Sequence, residues 1–381
     1  MFTKRLVLGS ISLCALVACS KSSSSSAVNA TPSASSVSSS VGDATTSSDA
    51  SASTDGGSSA SGETYLGAVG GLPVHATLTV TDAAITGRWF YEKGGGAEGL
   101  AIDASMHGDQ KNHYVGTERI ADGGTSGDLS LEHRGTAILG SWSKHSAEKT
   151  LMVVLAPEVR SRVGDHVVKS RRVTIKSDTP GTTASAGFLP VVEGPEAARI
   201  MPNLTFKALI GDDETELVGG TITALDFEVV LDDARLLTIA ITEDTMGAYP
   251  SSNVLTDSFD WTTGKKIGGE AFAADKKAKL VKLLDKRVHD AWKAKKAELL
   301  KTKPQPNECG PDIAKESMDG NGPSFTAAML DGVSATKDGV TFDFDFGFPH
   351  VIQACSPEVD LSLPWADVKA FVDPKGPFGG R

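Results

Sequence analysis

The sequence has few cysteines, a deficit of positive charge and no common catalytic motif. Four cysteines occur among 381 residues, and two of them fall within the first nineteen positions, which excludes a cysteine-based zinc cluster. Lysine and arginine number 37 against 48 acidic residues, so the net charge is −11. Phosphate contacts require a surplus of positive charge, and we therefore expect no nucleic acid among the partners.

Signatures of enzymes and metal sites are missing from the folded part. It contains no Gly-x-Ser-x-Gly elbow, His-Glu-x-x-His helix, Walker loop or dinucleotide fingerprint. His107 and His113 lie close together without a recognised ligand spacing, and residues 319–321 begin a calcium-loop pattern that lacks its glycine and glutamate. The sequence predicts a protein that is not an enzyme and that needs no cofactor and no metal.

Residues 1–18 have the features of a secretion signal peptide. Lys4 and Arg5 precede an apolar run at 6–18, which is too short to cross a bilayer. The run ends in Leu-Val-Ala-Cys, which resembles the lipobox of bacterial lipoproteins. The resemblance implies that Cys19 is acylated with chains such as palmitate and anchors the protein to the lipid bilayer.

The residues after the lipobox indicate a tethered protein of the cell envelope. Ser20 stands where an aspartate would resemble an inner-membrane retention signal, so we expect the outer membrane if the cell has two membranes. Residues 20–62 hold 19 serines among 43 positions and show no apolar periodicity. Residues 19–62 are therefore predicted to form a flexible tether, whose reach is about 35–40 Å.

Residues 63–160 have the pattern of an antiparallel β-meander or small barrel. Short runs with a period of two are separated by glycine and aspartate. A glycine precedes an aromatic residue in two strands, at Gly87 with Trp89 and at Gly140 with Trp142, as expected where a neighbouring strand approaches closely. We expect side chains to fill the interior rather than a ligand, although barrels of this size also hold small ligands.

Residues 168–375 mix strands with helical segments, as in an α+β domain. Predicted strands lie at 167–175, 222–230, 236–242, 259–262, 325–330, 340–346 and 359–363. A long helix is predicted from Asp275, as the N-cap, to residue 303, because Pro304 ends it. One apolar stripe recurs every fourth residue along this helix: Leu280, Leu284, Val288 and Trp292.

The predicted helix is strongly basic. It carries eleven lysines and arginines against three acidic residues between positions 276 and 303, a local charge of +8, so the rest of the chain sums to −19. This pattern fits contact with anionic headgroups or an acidic wall polymer, but exposed lysines are good helix formers, so it is more often a solvated outer face. The candidate binding residues are Lys276, Lys279, Lys282, Lys286, Arg287 and Lys293.

Phenylalanines alternate with aspartates at residues 340–348. The alternation places Phe342, Phe344 and Phe346 on one side of a predicted strand and Asp343 and Asp345 on the other. We expect the aromatic side to join the core. The two carboxylates are more often solvated than metal-bound in such a position.

The second half of the chain resembles the RsiV-type extracytoplasmic domain, a family often described as a domain of unknown function. The resemblance rests on LPVVEG at 189–194, FDWTTGK at 259–265, DGVTF at 338–342 and LPWADV at 363–368, and it covers residues 168–372. The upstream meander resembles a module that precedes this domain in lipoproteins. These motifs are structural, so they support the fold more than an activity.

The family offers two activities that this sequence does not obviously share. The best-known relative is an anti-sigma factor that binds lysozyme, and other relatives carry a polysaccharide deacetylase. An anti-sigma factor needs a cytosolic domain before a membrane span, whereas only three residues precede Lys4 here. No metal-binding Asp/His motif of a deacetylase is present.

Cys309 and Cys355 are the only cysteines beyond the signal region. In an oxidising envelope they are predicted to form a disulfide, and the alternative is two free buried thiols. A Cys-x-x-Cys redox motif is absent.

These observations predict a lipid-anchored, non-enzymatic protein of the cell envelope that binds a lysozyme-like protein or a cell-wall polymer. Two alternatives stay open. The first is a cell-wall-turnover enzyme whose site is assembled from distant residues, and the second is a purely structural lipoprotein.

Overall fold

The computed structural model describes the folded part of the chain. The described residues are 62–93, 99–108, 110–144, 149–176, 178, 184–246, 250–302 and 309–381. They belong to one compact unit, Ser59–Arg381. The predicted signal peptide, the lipobox Cys19 and the tether up to residue 61 lie outside the described residues. Within the described part, no helix is long and apolar enough to cross a membrane.

Eight antiparallel strands close into a barrel. They are β1 (Glu63–Val69), β2 (Leu72–Val80), β3 (Ala84–Tyr91), β4 (Leu100–Met106), β5 (His113–Arg119), β6 (Thr125–Arg134), β7 (Ala137–Ser143) and β8 (Thr150–Pro157). Each strand pairs with the next, and β1 pairs with β8 so that Tyr65 lies opposite Pro157. The predicted meander or small barrel is thus a closed barrel of eight strands.

Side chains fill the barrel interior, because alternate residues of each strand point inward. Trp89 and Tyr114 are fully buried there among aliphatic residues. The two glycines that precede aromatic residues sit against neighbouring backbone. A Cβ at Gly87 would lie 2.1 Å from the carbonyl oxygen of Thr77, and one at Gly140 would lie 2.1 Å from that of Ser130. The close approach predicted at these glycines is confirmed.

Three further sheets of three strands each follow the barrel. Their strands are β9 (Val159–Val163), β10 (His166–Ile175), β11 (Ser185–Glu193), β12 (Ile222–Asp232), β13 (Leu236–Thr245), β14 (Ser251–Asp260), β15 (Val333–Ala335), β16 (Gly339–Phe342) and β17 (Leu363–Pro364). The strand orders are β11-β10-β9, β12-β13-β14 and β15-β16-β17. A buried cluster that includes Phe188, Phe227, Phe259 and Trp261 unites the first two of these sheets.

The described residues form few helices, and only one of these is long. The α-helices are α1 (Ala197–Ile200), α2 (Phe206–Ile210), α3 (Lys277–Leu299), α4 (Pro311–Glu316) and α5 (Trp365–Val368), and the 3-10 helices are Met201–Asn203, Glu214–Leu217, Gly269–Ala271, Ala327–Gly332 and His350–Cys355. The predicted stripe of α3, Leu280, Leu284, Val288 and Trp292, is buried.

The limits of α3 differ from the prediction at both ends. The helix begins at Lys277 with Lys276 at the N-cap, and no side chain caps it. Asp275, the predicted N-cap, instead lies 3.1 Å from the Nζ of Lys276. The helix ends at Leu299, because its last turn already tightens to i,i+3 bonds before Pro304.

The region after α3 contains the least accurate sequence predictions. The strand predicted at 325–330 is wrong, since Ala327–Gly332 is a 3-10 helix that buries Leu330. Strand β16 ends at Phe342, after which the chain stays alternating without ladder partners, so the predicted strand at 340–346 is too long. Phe342 and Phe346 are buried, which confirms the aromatic side as core, while Asp343 and Asp345 are exposed.

The structure pairs Cys309 with Cys355 in a disulfide. The bond joins the segment before α4 to the end of the last 3-10 helix, and Cys355 is buried in the same core as α3. The predicted pairing is therefore present, and two free thiols are not.

Candidate functional site

Helix α3 presents four of the predicted lysines on one side. Lys279, Lys282, Lys286 and Lys293 are spaced by three, four and seven residues, which places them along a single stripe. All four are exposed, and the stripe lies opposite the buried face of the helix. These four residues are called the lysine face below.

The other two predicted residues are engaged within the chain. Arg287 donates hydrogen bonds to the carbonyl oxygens of Asp360 and Ser362, at 3.3 and 2.9 Å. Lys276 forms the contact with Asp275 described above. Arg287 therefore serves to hold the chain before β17 against α3.

One carboxylate lies within the lysine face. Lys286 donates to Asp290 at 2.5 Å, and this hydrogen bond is the main reason that the pKa of Asp290 is lowered. Lys279 and Lys282 form no ion pair with any described residue. The face thus keeps a positive surplus available to an outside partner.

A cleft of about 770 Å³ separates the barrel from the sheet β12-β13-β14. One wall is the outer face of β7 and β8, where Leu139, Met152 and Val154 point away from the barrel interior. The other wall is the face of the sheet opposite its core. Strand β11 contributes Ala186 and Phe188 between the two walls. The arrangement is a concave, largely apolar site of the size that holds small ligands.

Three carboxylates line the sheet side of this cleft. Asp226 and Glu228 alternate along β12 with buried Leu225 and Phe227, so they share the outer face. Asp244 joins them from β13, because its cross-strand partner is Ala224 on that face. Such alternation places a row of acidic side chains opposite an apolar wall.

A buried arginine lies beside the cleft and joins three parts of the fold. The side chain of Arg160 is only 2% exposed, and its Nη2 donates to Asp226 Oδ1 at 2.5 Å. Its Nε donates to Ser170 at 2.8 Å, and its Nη1 donates to Thr136 in the turn between β6 and β7. The guanidinium also lies 4.8 Å from the ring centroid of Phe227.

Burial and Arg160 shift the pKa of Asp226 in opposite directions. Desolvation raises the pKa of Asp226, and the neighbouring guanidinium lowers it, with desolvation the larger effect. The carboxylate is 31% exposed toward the cleft.

A second buried carboxylate lies inside the barrel. Glu118 is 2% exposed, and it accepts hydrogen bonds from Trp89 Nε1 at 2.9 Å and from Ser126 Oγ at 2.6 Å. Burial raises the pKa of Glu118 despite these bonds. Its charge contributes to raising the pKa of Tyr91, after the larger effect of burial.

Ser161 and His166 of the β9–β10 hairpin have separate hydrogen-bond partners. His166 stacks on Trp261 with ring centroids 4.1 Å apart, and its Nε2 lies 2.7 Å from Glu196. Ser161 donates instead to Asp232 at 2.7 Å. The Ser161 hydroxyl is therefore not activated by His166.

The weak metal candidates of the sequence do not assemble into a site. The rings of His107 and His113 meet edge to face at 5.6 Å, and His113 lies within 3.0 Å of Ser130 Oγ. Among the described residues, no three His, Cys, Asp or Glu side chains are grouped to hold a metal ion.

Comparison with known proteins gives structural neighbours only. No family model matches the chain, and no curated protein matches it. A member of the DUF3298 family from Bacteroides fragilis NCTC 9343 is 15% identical, with 56% of this chain and 96% of that chain covered and a TM-score of 0.35. A protein from Pseudomonas aeruginosa PAO1 is 16% identical, with 56% and 98% covered and a TM-score of 0.34. Both neighbours are DUF3298 family proteins.

Sequence reasoning identified the lysine face but missed the cleft. The cleft residues come from β7, β8, β11, β12 and β13, which are distant in the chain. The one local signal is the acidic alternation of Asp226 and Glu228 within an otherwise apolar strand.

Proposed function

We propose that the protein is a lipid-anchored, non-enzymatic component of the cell envelope whose folded part is an RsiV-type binding module. The lipobox-like sequence at Cys19 and the serine-rich tether support the anchor. The lysine face supports binding, because it places four exposed lysines along one side of α3. In a cell with two membranes, the anchor would lie in the outer membrane.

The lysine face favours an acidic cell-wall polymer as the partner. Each basic residue near an anionic surface contributes about 1 kcal/mol, so the surplus of three charges that remains beside the Lys286–Asp290 pair contributes on the order of 3 kcal/mol, an affinity weaker than millimolar for one contact. A polymer repeats its charges, and repeated contacts strengthen weak binding through effective concentration. A weak patch of this kind is therefore sufficient for a protein held beside the wall.

A lysozyme-like protein is the second partner that we propose. The charge of −19 outside the basic helix attracts a basic protein, and the lysine face would not take part in that contact. Binding of the polymer therefore requires the lysine face of α3, whereas binding of the lysozyme-like protein does not.

The test is capture of the full chain carrying Cys19→Ser on purified peptidoglycan and, separately, on immobilised lysozyme. Capture is measured at about 0.1 M and about 1 M salt, where the screening length falls from about 10 Å to about 3 Å. The test variant is K279Q/K282Q/K286Q/K293Q. A matched control, K315Q/K337Q/K369Q/K375Q, changes the net charge equally at exposed lysines outside α3.

Salt-sensitive capture on peptidoglycan that the test variant loses and the control retains supports the polymer. Capture on lysozyme that both variants retain supports the protein partner. Absence of capture on both at low salt contradicts a binding module and favours the structural or enzymatic alternatives. Metabolic labelling with palmitate, present in the wild type and absent from Cys19→Ser, tests the anchor independently.

A further inference from the structure

The cleft between the barrel and the sheet β12-β13-β14 has the construction of a ligand site. Outward-facing residues of a soluble barrel are normally polar, yet Leu139, Met152 and Val154 form an apolar wall. Met152 is 38% exposed, and Met246 at the far end of the cleft is 37% exposed. Unbranched methionine side chains adapt to ligands of varied shape.

The charges on the sheet side of the cleft determine which charge a ligand should carry. Asp226 is matched by Arg160, as described above. Glu228 and Asp244 form no ion pair with any described residue. Among the described residues that line the cleft, Arg134 is the only cation, and it is paired with Glu132 at 3.2 Å. The unmatched charge of the cleft is therefore negative.

The backbone leaves space beside one of these carboxylates. Gly135 has a φ of +60°, and a Cβ built on it would lie 2.5 Å from Glu228 Oε1. The positive φ favours glycine at this position, and the turn that it forms lies directly beside the carboxylate end of Glu228.

We propose that this cleft binds a small amphiphile composed of an apolar body and a cationic amine. The apolar body lies against Met152 and Val154, and the ammonium group pairs with an unmatched carboxylate of the acidic row, which has Glu228 at one end and Asp244, opposite Ala224, at the other. Burial of the apolar part supplies affinity, and the carboxylates supply selectivity for the charge. The site is separate from the lysine face, so this proposal does not depend on the wall-binding function.

The test uses octylammonium, octanoate and octan-1-ol, which share one chain and differ in the charge of the head group. The full chain carrying Cys19→Ser is labelled at its methionine methyl carbons, and each probe is titrated while methyl resonances are recorded by NMR. Met152 and Met246 report on the cleft, and Met318, buried in the core beside α3, reports on non-specific effects. Octylammonium is expected to shift Met152 and Met246 selectively and to bind at least tenfold more tightly than octanoate.

Two variants separate charge recognition from apolar contact. E228Q/D244N is expected to weaken octylammonium binding at least tenfold while leaving octan-1-ol binding unchanged, and E316Q/D319N, which removes two exposed acidic charges outside the cleft, serves as its matched control. M152K places a cation on the apolar wall at an exposed position and is expected to abolish amine binding without disturbing the fold.

The proposal is overturned if octylammonium shifts neither Met152 nor Met246, if octanoate binds within threefold of it, or if E228Q/D244N binds it like the wild type. The variant K279Q/K282Q/K286Q/K293Q is expected to bind octylammonium like the wild type. A failure of cell-wall binding through the lysine face is therefore distinguishable from a failure of amine binding in the cleft.

Discussion

Replacement of Arg160 by methionine tests whether one buried cation holds the barrel to the sheets. The variant keeps an apolar stem of similar length against Phe227 but loses the hydrogen bonds to Thr136, Ser170 and Asp226. Breaking a buried ion pair costs about 3–5 kcal/mol. Because Asp226 is 31% exposed and can be rehydrated through the cleft, we expect the lower part of that range, about 3 kcal/mol.

The assay is urea unfolding followed by tryptophan fluorescence, with Trp261 as a reporter in the buried cluster that also contains Phe227, the ring beside Arg160. The matched control is R162M, which removes an exposed arginine from the same strand and is expected to change stability by less than about 0.5 kcal/mol. A loss in R160M that stays within about 1 kcal/mol of the control refutes the reasoning.

The pH dependence of the same variant has a definite sign. Burial raises the folded-state pKa of Asp226, so this carboxyl group supports folding at low pH and loses that contribution as the pH rises through its folded pKa. Arg160 lowers the pKa of Asp226, so this pKa is higher in R160M. The variant therefore loses more stability than the wild type as the pH rises. The stability difference between wild type and R160M is therefore expected to be larger at neutral pH than near pH 4, and a difference that grows on acidification contradicts this account.

Three further substitutions test other parts of the fold. E118Q keeps an acceptor for Trp89 and removes a carboxyl group whose pKa is raised by burial. In denaturation from pH 5 to pH 8, the unfolding free energy of E118Q should therefore increase relative to that of the wild type. Parallel pH profiles of the two proteins contradict this. C309S/C355S opens a loop with a sequence separation of 46, and chemical denaturation should show that the free energy of unfolding falls by up to about 4 kcal/mol. Reducing agent should cause the same fall in the wild type and no further fall in the variant. G140A places a Cβ 2.1 Å from the Ser130 carbonyl and should cost about 1–3 kcal/mol in thermal unfolding, whereas S141A on the same strand should cost little.

The local periodicities of the sequence predicted the elements that have regular partners. Alternation along strands such as β6 survives in the structure because each barrel strand buries one face, and the four-residue stripe of α3 survives because one helix face packs on the core. At Ala327–Gly332 the same reasoning failed. A short apolar run has no period that distinguishes a strand from a helical turn, and the capping of Thr326 favoured the turn.

The candidate sites divide in the same way. The lysine face was predictable because all its residues belong to one helix, whereas the engagement of Arg287 by the carbonyls of Asp360 and Ser362 depends on a contact across more than seventy residues. Arg160 carries no local signal, since an arginine on a short strand is usually solvated. Its burial depends on Thr136, Ser170 and Asp226 meeting around it.

Closure of the barrel has a consequence for the order of folding. Strands β1 and β8 pair Val69 with Val153 and Tyr65 with Pro157, so the last seam joins residues about ninety positions apart, whereas every other barrel ladder joins neighbours along the chain. Closing so long a loop costs conformational entropy before the contacts of the β1–β8 ladder form and compensate for that cost. Formation of this ladder is therefore slow. Until β8 arrives, β1 and β7 present unpaired hydrogen-bonding edges to other chains. The period between synthesis of β1 and arrival of β8 is therefore the interval in which the nascent barrel is most exposed to mispairing.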